Sequence, residues 1–88
     1  MTGRLDGRIA CITGAGSGLG RAMAIRFAEE GATVAAQDIR WEAADETVHL
    51  LHGDGHRAFA GDVSDEAAMG AVFAEIFGAY GRLDVQVN

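Results

Sequence analysis

The sequence contains no lysine and no proline, and Tyr80 is its only tyrosine. A mechanism that needs a lysine amine, or a tyrosine assisted by a lysine, therefore cannot run on these 88 residues alone. The seven arginines stand singly in a chain of formal net charge −6, so no basic stripe is available for nucleic acid or an anionic membrane surface. We expect neither nucleic acid nor a membrane as a partner.

The single cysteine, Cys11, cannot form an internal disulfide, and the N-terminal residues lack the apolar core of a secretory signal. No apolar run approaches the ~20 residues that a membrane-spanning helix requires. With 49% hydrophobic and 23% charged residues the composition is that of a globular domain, and the length suffices for one such domain. These features predict a cytoplasmic location.

Thirteen glycines separate short apolar runs from longer amphipathic runs. This alternation is typical of a βαβα succession, and it predicts an α/β fold. The predicted strands are residues 8–13, 32–38, 57–63 and 83–88. The predicted helices are residues 18–30, residues 41–52, and a third helix that Ser64 caps and that Gly78 and Gly81 end.

A glycine-rich turn at residues 13–20 (TGAGSGLG) joins the first predicted strand to the first predicted helix. A dinucleotide pyrophosphate needs unpaired backbone N–H groups, which the first turn of a helix supplies together with the positive end of its dipole. Glycine is then expected where the chain turns sharply (Gly14), where the backbone nears phosphate (Gly18) and where helix packs on strand (Gly20). Ser17 offers a further hydroxyl donor. The context favours a dinucleotide-binding turn over a plain strand-to-helix turn.

Asp38 ends the second predicted strand, about 20 residues beyond the turn. A carboxylate at this position accepts hydrogen bonds from both ribose hydroxyls of an adenosine and repels a 2′-phosphate. Arg40 lies close enough to complicate the choice, but no basic residue lies in the glycine turn itself. The residues therefore favour NAD as the cofactor over NADP, and a solvated acid at a strand end is the alternative interpretation.

Thr13, Gly14, Gly18 and Gly20 match the motif T-G-x-x-x-G-x-G, and the sequence thereby resembles the short-chain dehydrogenase/reductase family. The resemblance covers the whole chain, because the final LDVQVN is similar to the approach to the family's N-N-A-G motif, with Asn88 matching its first Asn. It implies a Rossmann-like doubly wound parallel sheet, truncated to about four strands in the order 3-2-1-4 with three helices. Residues 1–88 would be the N-terminal part of an NAD-binding Rossmann domain whose remainder is absent.

The same resemblance implies that Asp62 lies near the adenine amino group, Val63 beside the adenine ring and Asn88 near the adenosine ribose. The expected cofactor-binding set is Gly14, Ser17, Gly18, Leu19, Gly20, Asp38, Ile39, Asp62, Val63 and Asn88. The implied activity of the longer protein is hydride transfer between a nicotinamide and a small-molecule secondary alcohol or ketone. We also expect the longer protein to be a homo-oligomer.

The family's catalytic groups are a later Asn, a Ser and a Tyr-x-x-x-Lys pair, and residues 1–88 match none of them. Tyr80 has no lysine four positions later, so it is not that tyrosine. We expect no catalytic residue in this chain. All the candidate residues suit the binding of a cofactor, and none suits a catalytic step. A non-catalytic dinucleotide-binding module is therefore the alternative function. The glycine spacing and the leading threonine disfavour a methyltransferase of Rossmann-like fold.

Three histidines, His49, His52 and His56, lie close together in the sequence. His49 and His52 lie at the end of the predicted helix 41–52, where histidine interacts favourably with the last carbonyls, and His56 follows the next turn. We therefore interpret the three as a polar helix end and expect no metal ligands. Cys11, in the middle of an apolar strand, is interpreted as a packing residue. Trp41 either shields the adenine edge or packs at the start of its helix, and packing is favoured.

Overall fold

The computed structural model describes residues 3–88, which form four strands and three helices in alternation. The strands are β1 (Ile9–Ile12), β2 (Thr33–Asp38), β3 (Arg57–Ala60) and β4 (Val85–Val87). The helices are α1 (Gly18–Glu29), α2 (Trp41–Val48) and α3 (Glu66–Tyr80). Within residues 3–88, no helix combines the length and the apolar character needed to cross a membrane.

All strand pairs are parallel, and the strand order is β3-β2-β1-β4. The pairing of β1 with β2 runs from Ile9 opposite Thr33 to Ile12 opposite Ala36. On its other side β1 pairs with β4, where Cys11 lies opposite Gln86. The strand order reverses at β1, which is where parallel sheets of this kind open a crevice at their carboxyl ends. The predicted Rossmann-like sheet with order 3-2-1-4 is confirmed.

Helices cover both faces of the sheet and create two apolar clusters. On one face α1 and α2 place small buried side chains, Ala24, Ala28 and Ala44, against Ile12 and Val34. Alanines on this face allow the helices to approach the strands closely. On the other face α3 packs on the sheet through the buried residues Cys11, Ala35, Phe59, Met69, Val72 and Ile76.

The third strand is shorter than the predicted 57–63. β3 ends at Ala60 because its pairing with β2 ends where Asp38 lies opposite Ala60, at the end of β2 itself. Asp62 and Val63 therefore lie in the loop after the strand rather than at its end. A strand forms only where a neighbour offers a hydrogen-bonding partner, and this limit is not visible in the apolar run alone.

The predicted cap of the third helix was wrong by one residue. The N-cap is Asp65, whose carboxylate accepts a hydrogen bond from the N–H of Ala68 at 3.1 Å. Ser64 instead donates its backbone N–H and its hydroxyl to Asp62, at 2.9 and 2.7 Å. Both Ser and Asp are good N-caps, so the choice depended on the turn that precedes the helix.

Two further differences concern residues near the ends of elements. α2 ends at Val48, not at residue 52, and Trp41 at its start is 48% exposed, so this side chain contributes only part of its surface to packing. β4 lies at the sheet edge among the described residues, and Gln86 in the middle of this strand is exposed. Its amide donates to Oδ1 of Asn88 at 3.2 Å.

Candidate cofactor-binding site

A cleft of about 410 Å³ opens at the carboxyl ends of β1, β2 and β3. It is lined by Thr13, Gly14, Gln37, Asp38, Ile39, Gly61, Asp62, Val63 and Asn88. A second cleft of about 250 Å³ shares Thr13, Gly14 and Asn88 with the first and is also lined by Ile12, Leu19, Gly20, Met23 and Val87. Eight of the ten predicted residues line one cleft or the other, and Ser17 and Gly18 line neither.

The glycine turn uses backbone conformations that favour glycine. Gly14 has φ +65° and Gly18 has φ +55°, both in the left-handed region, and a Cβ at either position would meet no atom within 4 Å. The requirement at both positions is therefore conformational, and the space beside each backbone is open. Open space beside Gly18 is consistent with the predicted approach of a phosphate group.

Gly20 is required by packing. A Cβ at this position would lie 2.0 Å from the carbonyl oxygen of Gly14, a distance that no packing adjustment of a side chain could relieve. The contact is with the backbone of the turn, whereas the sequence predicted a contact between helix and strand. Gly20 thus holds the first turn of α1 against the turn that precedes it.

The N-terminus of α1 has the features of an anion site. Its N-cap, Ser17, is extended, its side chain makes no capping hydrogen bond, and the first turn of the helix contains no acidic residue. The first N–H groups of a helix have no partner within the helix, and the helix dipole adds positive potential there. The exposed Ser17 hydroxyl and the neighbouring N–H groups of Gly18 and Leu19 are consequently free to meet a phosphate.

Asp38 links the end of β2 to the glycine turn. Its Oδ2 accepts a hydrogen bond from the N–H of Gly16 at 2.9 Å, and its Oδ1 accepts one from the N–H of Arg40 at 3.1 Å. A Cβ at Gly16 would lie 2.6 Å from Cβ of Ala43 and 2.7 Å from Oδ2 of Asp38. Sequence reasoning missed Gly16, because only the fold brings this part of the turn against β2 and α2.

The loop after β3 presents the predicted adenine-side residues. Oδ1 of Asp62 accepts two hydrogen bonds from Ser64, one from its hydroxyl and one from its backbone N–H. Both bonds lower the pKa of Asp62 below its ordinary value, and the bond from the hydroxyl has the larger effect. Asp62 is therefore ionised at neutral pH and can accept a further hydrogen bond. Ile39 and Val63 are 64% and 63% exposed, so two apolar side chains face the cleft without a covering partner in residues 3–88.

Asn88 adjoins the start of the glycine turn. The N–H of Thr13 donates to the carbonyl of Val87 at 2.9 Å, and the Thr13 hydroxyl donates to the same carbonyl at 3.2 Å. The hydroxyl also lies 3.5 Å from Oδ1 of Asn88. These contacts join the ends of β1 and β4 and bring Asn88 to both clefts.

Thr47 and Arg21 connect α2 to the glycine turn, and the sequence did not reveal this connection. The hydroxyl of Thr47, fully buried, donates to the carbonyl of Ala15 at 2.6 Å. It accepts from Nε of Arg21 at 2.9 Å, and the same guanidinium donates to the carbonyl of Gly16 at 2.6 Å and pairs with Glu46 at 3.2 Å. A threonine within a short polar helix carries no signal of this contact.

The remaining candidate residues take structural positions. Nδ1 of His56 accepts from the N–H of Val34 at 2.9 Å, and no cluster of three potential metal ligands occurs in residues 3–88. Burial raises the pKa of the Cys11 thiol to about 11, which makes it unreactive at neutral pH. The Tyr80 hydroxyl donates to the carbonyl of Gly55 at 2.7 Å, neither residue lines a cleft, and burial raises the pKa of Tyr80.

The sheet order, the glycine turn and the acidic strand end are together typical of dinucleotide-binding Rossmann folds. The family model described as short chain dehydrogenase matches residues 8–88. This chain belongs to the short-chain dehydrogenase family. Membership of this oxidoreductase family agrees with the resemblance noted in the sequence.

Individual dehydrogenases are similar to this chain over nearly its whole length. A D-threitol dehydrogenase of Mycolicibacterium smegmatis is 44% identical over 87 residues, which are 97% of this chain and 34% of that protein. A 3beta-hydroxysteroid dehydrogenase of Mediterraneibacter gnavus is 47% identical over 90 residues, covering 100% of this chain and 33% of that protein. The chain thus spans about a third of the length of the curated relatives it matches.

A solved structure shares the fold in detail. The crystal structure of a 3-ketoacyl-(acyl-carrier-protein) reductase from Brucella melitensis, complexed with NADH, superimposes with a TM-score of 0.87 at 39% identity. The match covers 93% of this chain and 34% of that one. Relatives with the names dehydrogenase and reductase differ in their substrates, so the shared third of the fold does not itself specify a substrate.

Proposed function

We propose that this chain is the NAD-binding portion of a short-chain dehydrogenase that transfers hydride between a nicotinamide and a secondary alcohol or ketone. The preference for NAD over NADP is part of the proposal. The substrate is a small carbonyl or alcohol compound, and the longer protein works as a cytoplasmic homo-oligomer. The observation that carries the cofactor assignment is the position of Asp38 beside the glycine turn.

The bonding of Asp38 leaves room for a ligand. An ionised carboxylate has about four lone-pair sites, and the N–H groups of Gly16 and Arg40 use two of them. The two remaining sites are available to a pair of adjacent ribose hydroxyls. A 2′-phosphate on that ribose would lie against the same carboxylate oxygens, whose negative charge would repel it. Among the described hydrogen bonds and ion pairs, no arginine side chain contacts Asp38 to offset this repulsion.

The other parts of the cleft fit a dinucleotide. The α1 N-terminus, with Ser17, Gly18, Leu19 and Gly20, offers N–H donors and positive potential to the pyrophosphate. The exposed side chains of Ile39 and Val63 offer apolar contact to an adenine ring. A bound nicotinamide supplies the hydride chemistry, while this chain binds and orients the cofactor.

Titration calorimetry with NAD and NADP tests the assignment. A unit charge repelled at ~4 Å costs ~1 kcal/mol in water and ~4 kcal/mol at a protein surface, so we expect NAD to bind at least ~5-fold more tightly. In Asp38→Ser this ratio should fall towards one. Asp54→Ala is the matched control, because Asp54 is an exposed acid in the turn between α2 and β3, away from the clefts.

The salt dependence provides a second readout. Repulsion between exposed charges is screened, so the NAD preference of the unmodified chain should shrink as ionic strength rises from 0.05 to about 0.5 M. Equal affinities for the two cofactors before and after the Asp38→Ser substitution would remove Asp38 from the site. Turnover of a carbonyl substrate by the longer protein separates a dehydrogenase from a non-catalytic dinucleotide-binding module.

A further inference from the structure

Gln37 is a polar residue in the buried middle layer of the sheet. It lies on β2, its relative exposure is zero, and it is among the largest fully buried side chains of the chain. Successive side chains of a strand point to opposite faces, so Gln37 shares the α3 face of the sheet with Ala35, while Asp38 lies on the other face. Gln37 also lines the larger cleft.

The Gln37 amide makes one side-chain hydrogen bond. Its Nε2 donates to the carbonyl oxygen of Gly61, the residue immediately before Asp62. The N–H of Gly61 donates to the carbonyl of Asp38 at 3.1 Å. The peptide groups on both sides of Gly61 are therefore held by β2, one by the backbone of Asp38 and the other by the side chain of Gln37.

The other end of the amide is left without a partner. Oε1 of Gln37 is buried and accepts no hydrogen bond from residues 3–88. A buried acceptor without a partner lowers stability, and an apolar side chain of the same size would avoid this cost. The amide is therefore a poor choice for stability, and its one hydrogen bond goes to the residue that begins the loop of Asp62 and Val63.

We propose that Gln37 is a positioning residue for the adenine end of the cofactor. By holding the Gly61 carbonyl, it fixes the loop so that the Asp62 carboxylate and Val63 stand at constant positions at the cleft wall. The consequence is base selectivity: a fixed carboxylate accepts from the 6-amino group of adenine and is repelled by the 6-oxo group of hypoxanthine. This inference rests on the proposed cofactor site and deepens it.

Binding of ADP and IDP to the full chain tests the role of Gln37. We expect the unmodified chain to bind ADP at least ~10-fold more tightly than IDP, the lower end of the range of one hydrogen bond to a charged group. In Gln37→Met, which keeps the length of the side chain and removes the donor, the ratio should fall to about 2 or less. The melting temperature should change by less than about 8 °C, because removal of the unpartnered oxygen offsets the loss of the hydrogen bond to Gly61.

Two further measurements distinguish positioning from a general structural effect. Ile76→Val removes a methylene from the core beneath α3 and lines neither cleft, so it should lower the melting temperature and leave the ADP-to-IDP ratio unchanged. Amide hydrogen exchange at Gly61, which needs no ligand, should be faster in Gln37→Met than in Ile76→Val at equal stability.

The outcomes separate the two proposals. If the unmodified chain binds neither nucleotide, the proposed function fails. Separately, slow exchange at Gly61 in Gln37→Met would show that Gln37 does not fix the loop, whether or not a nucleotide binds. If it prefers ADP and Gln37→Met keeps that preference, the cofactor site stands and the role of Gln37 is refuted. A melting temperature of Gln37→Met more than about 8 °C below that of the unmodified chain would refute it as well, by making the amide a stabilising group.

Discussion

The buried hydroxyl of Thr47 provides a sensitive test of how the glycine turn is held. Thr47→Val preserves the shape of the side chain but removes the donor to the carbonyl of Ala15, which is 2.6 Å away and itself fully buried. It also removes the acceptor for Nε of Arg21. Leaving a buried carbonyl without a partner costs ~1–3 kcal/mol.

This cost is a large share of the stability expected for the chain. At ~0.05–0.15 kcal/mol per residue, 88 residues give a free energy of unfolding of ~4–13 kcal/mol. For a domain of this size each 1 kcal/mol lowers the melting temperature by ~4–8 °C. We therefore expect Thr47→Val to melt ~5–20 °C below the unmodified chain, and to bind ADP-ribose more weakly because the turn that it supports is loosened.

Urea and thermal unfolding followed by circular dichroism measure the effect, with an unchanged urea slope as evidence that the folded state is comparable. Thr33→Val is the matched control, because the Thr33 side chain makes no hydrogen bond in the described structure and valine is favoured in strands. Thr47→Ser, which retains the hydroxyl, should recover most of the loss. If the two valine variants agree within about 0.5 kcal/mol, the hydroxyl does not support the turn.

Gly18→Val should weaken NAD binding much more than Gly7→Val, a control with a similar positive φ and equally open surroundings away from the clefts; equal losses would reduce Gly18 to a conformational role. Cys11 should resist alkylation at pH 8 in the folded chain and react in urea, since burial raises its pKa to about 11; rapid labelling without urea would contradict this burial. Hydrogen bonds from the N–H of Ile9, which has the larger effect, and from the Arg82 side chain lower the pKa of Asp84. The contribution of Asp84 to stability is therefore present above pH ~3.8 and is lost as the pH falls through the lower folded-state pKa. Acid unfolding of Asp84→Asn should accordingly show a weaker pH dependence, and an unchanged acid transition would exclude this contribution.

Local patterns were sufficient for the order and type of the elements. Short β-branched apolar runs and longer amphipathic runs, separated by glycines, predicted four strands and three helices, and the structure contains them in that order. Gly14 could be singled out because its role is local: a sharp turn needs positive φ, and glycine adopts it without strain. The strand order, by contrast, came from the resemblance to a family.

The ends of elements were less predictable because they depend on neighbours. β3 stops at Ala60 because β2 stops at Asp38, and the apolar run gave no sign of this limit. The cap of α3 fell to Asp65 because Ser64 is engaged by Asp62 in the preceding turn. In both cases the deciding partner is a residue whose position follows from the fold.

The sequence by itself was sufficient to predict a dinucleotide site, from a glycine turn between strand and helix and a carboxylate about 20 residues later. Only the tertiary structure decided how those groups are held. Gly16, Gln37 and Thr47 carry no local signal, because a glycine in a turn, an amide in a strand and a hydroxyl in a helix have many ordinary roles. Their importance arises from contacts across 22 to 32 residues of chain, where β2 and α2 meet the glycine turn and the loop after β3. Such contacts form only when the parallel sheet brings the carboxyl ends of its strands to one edge.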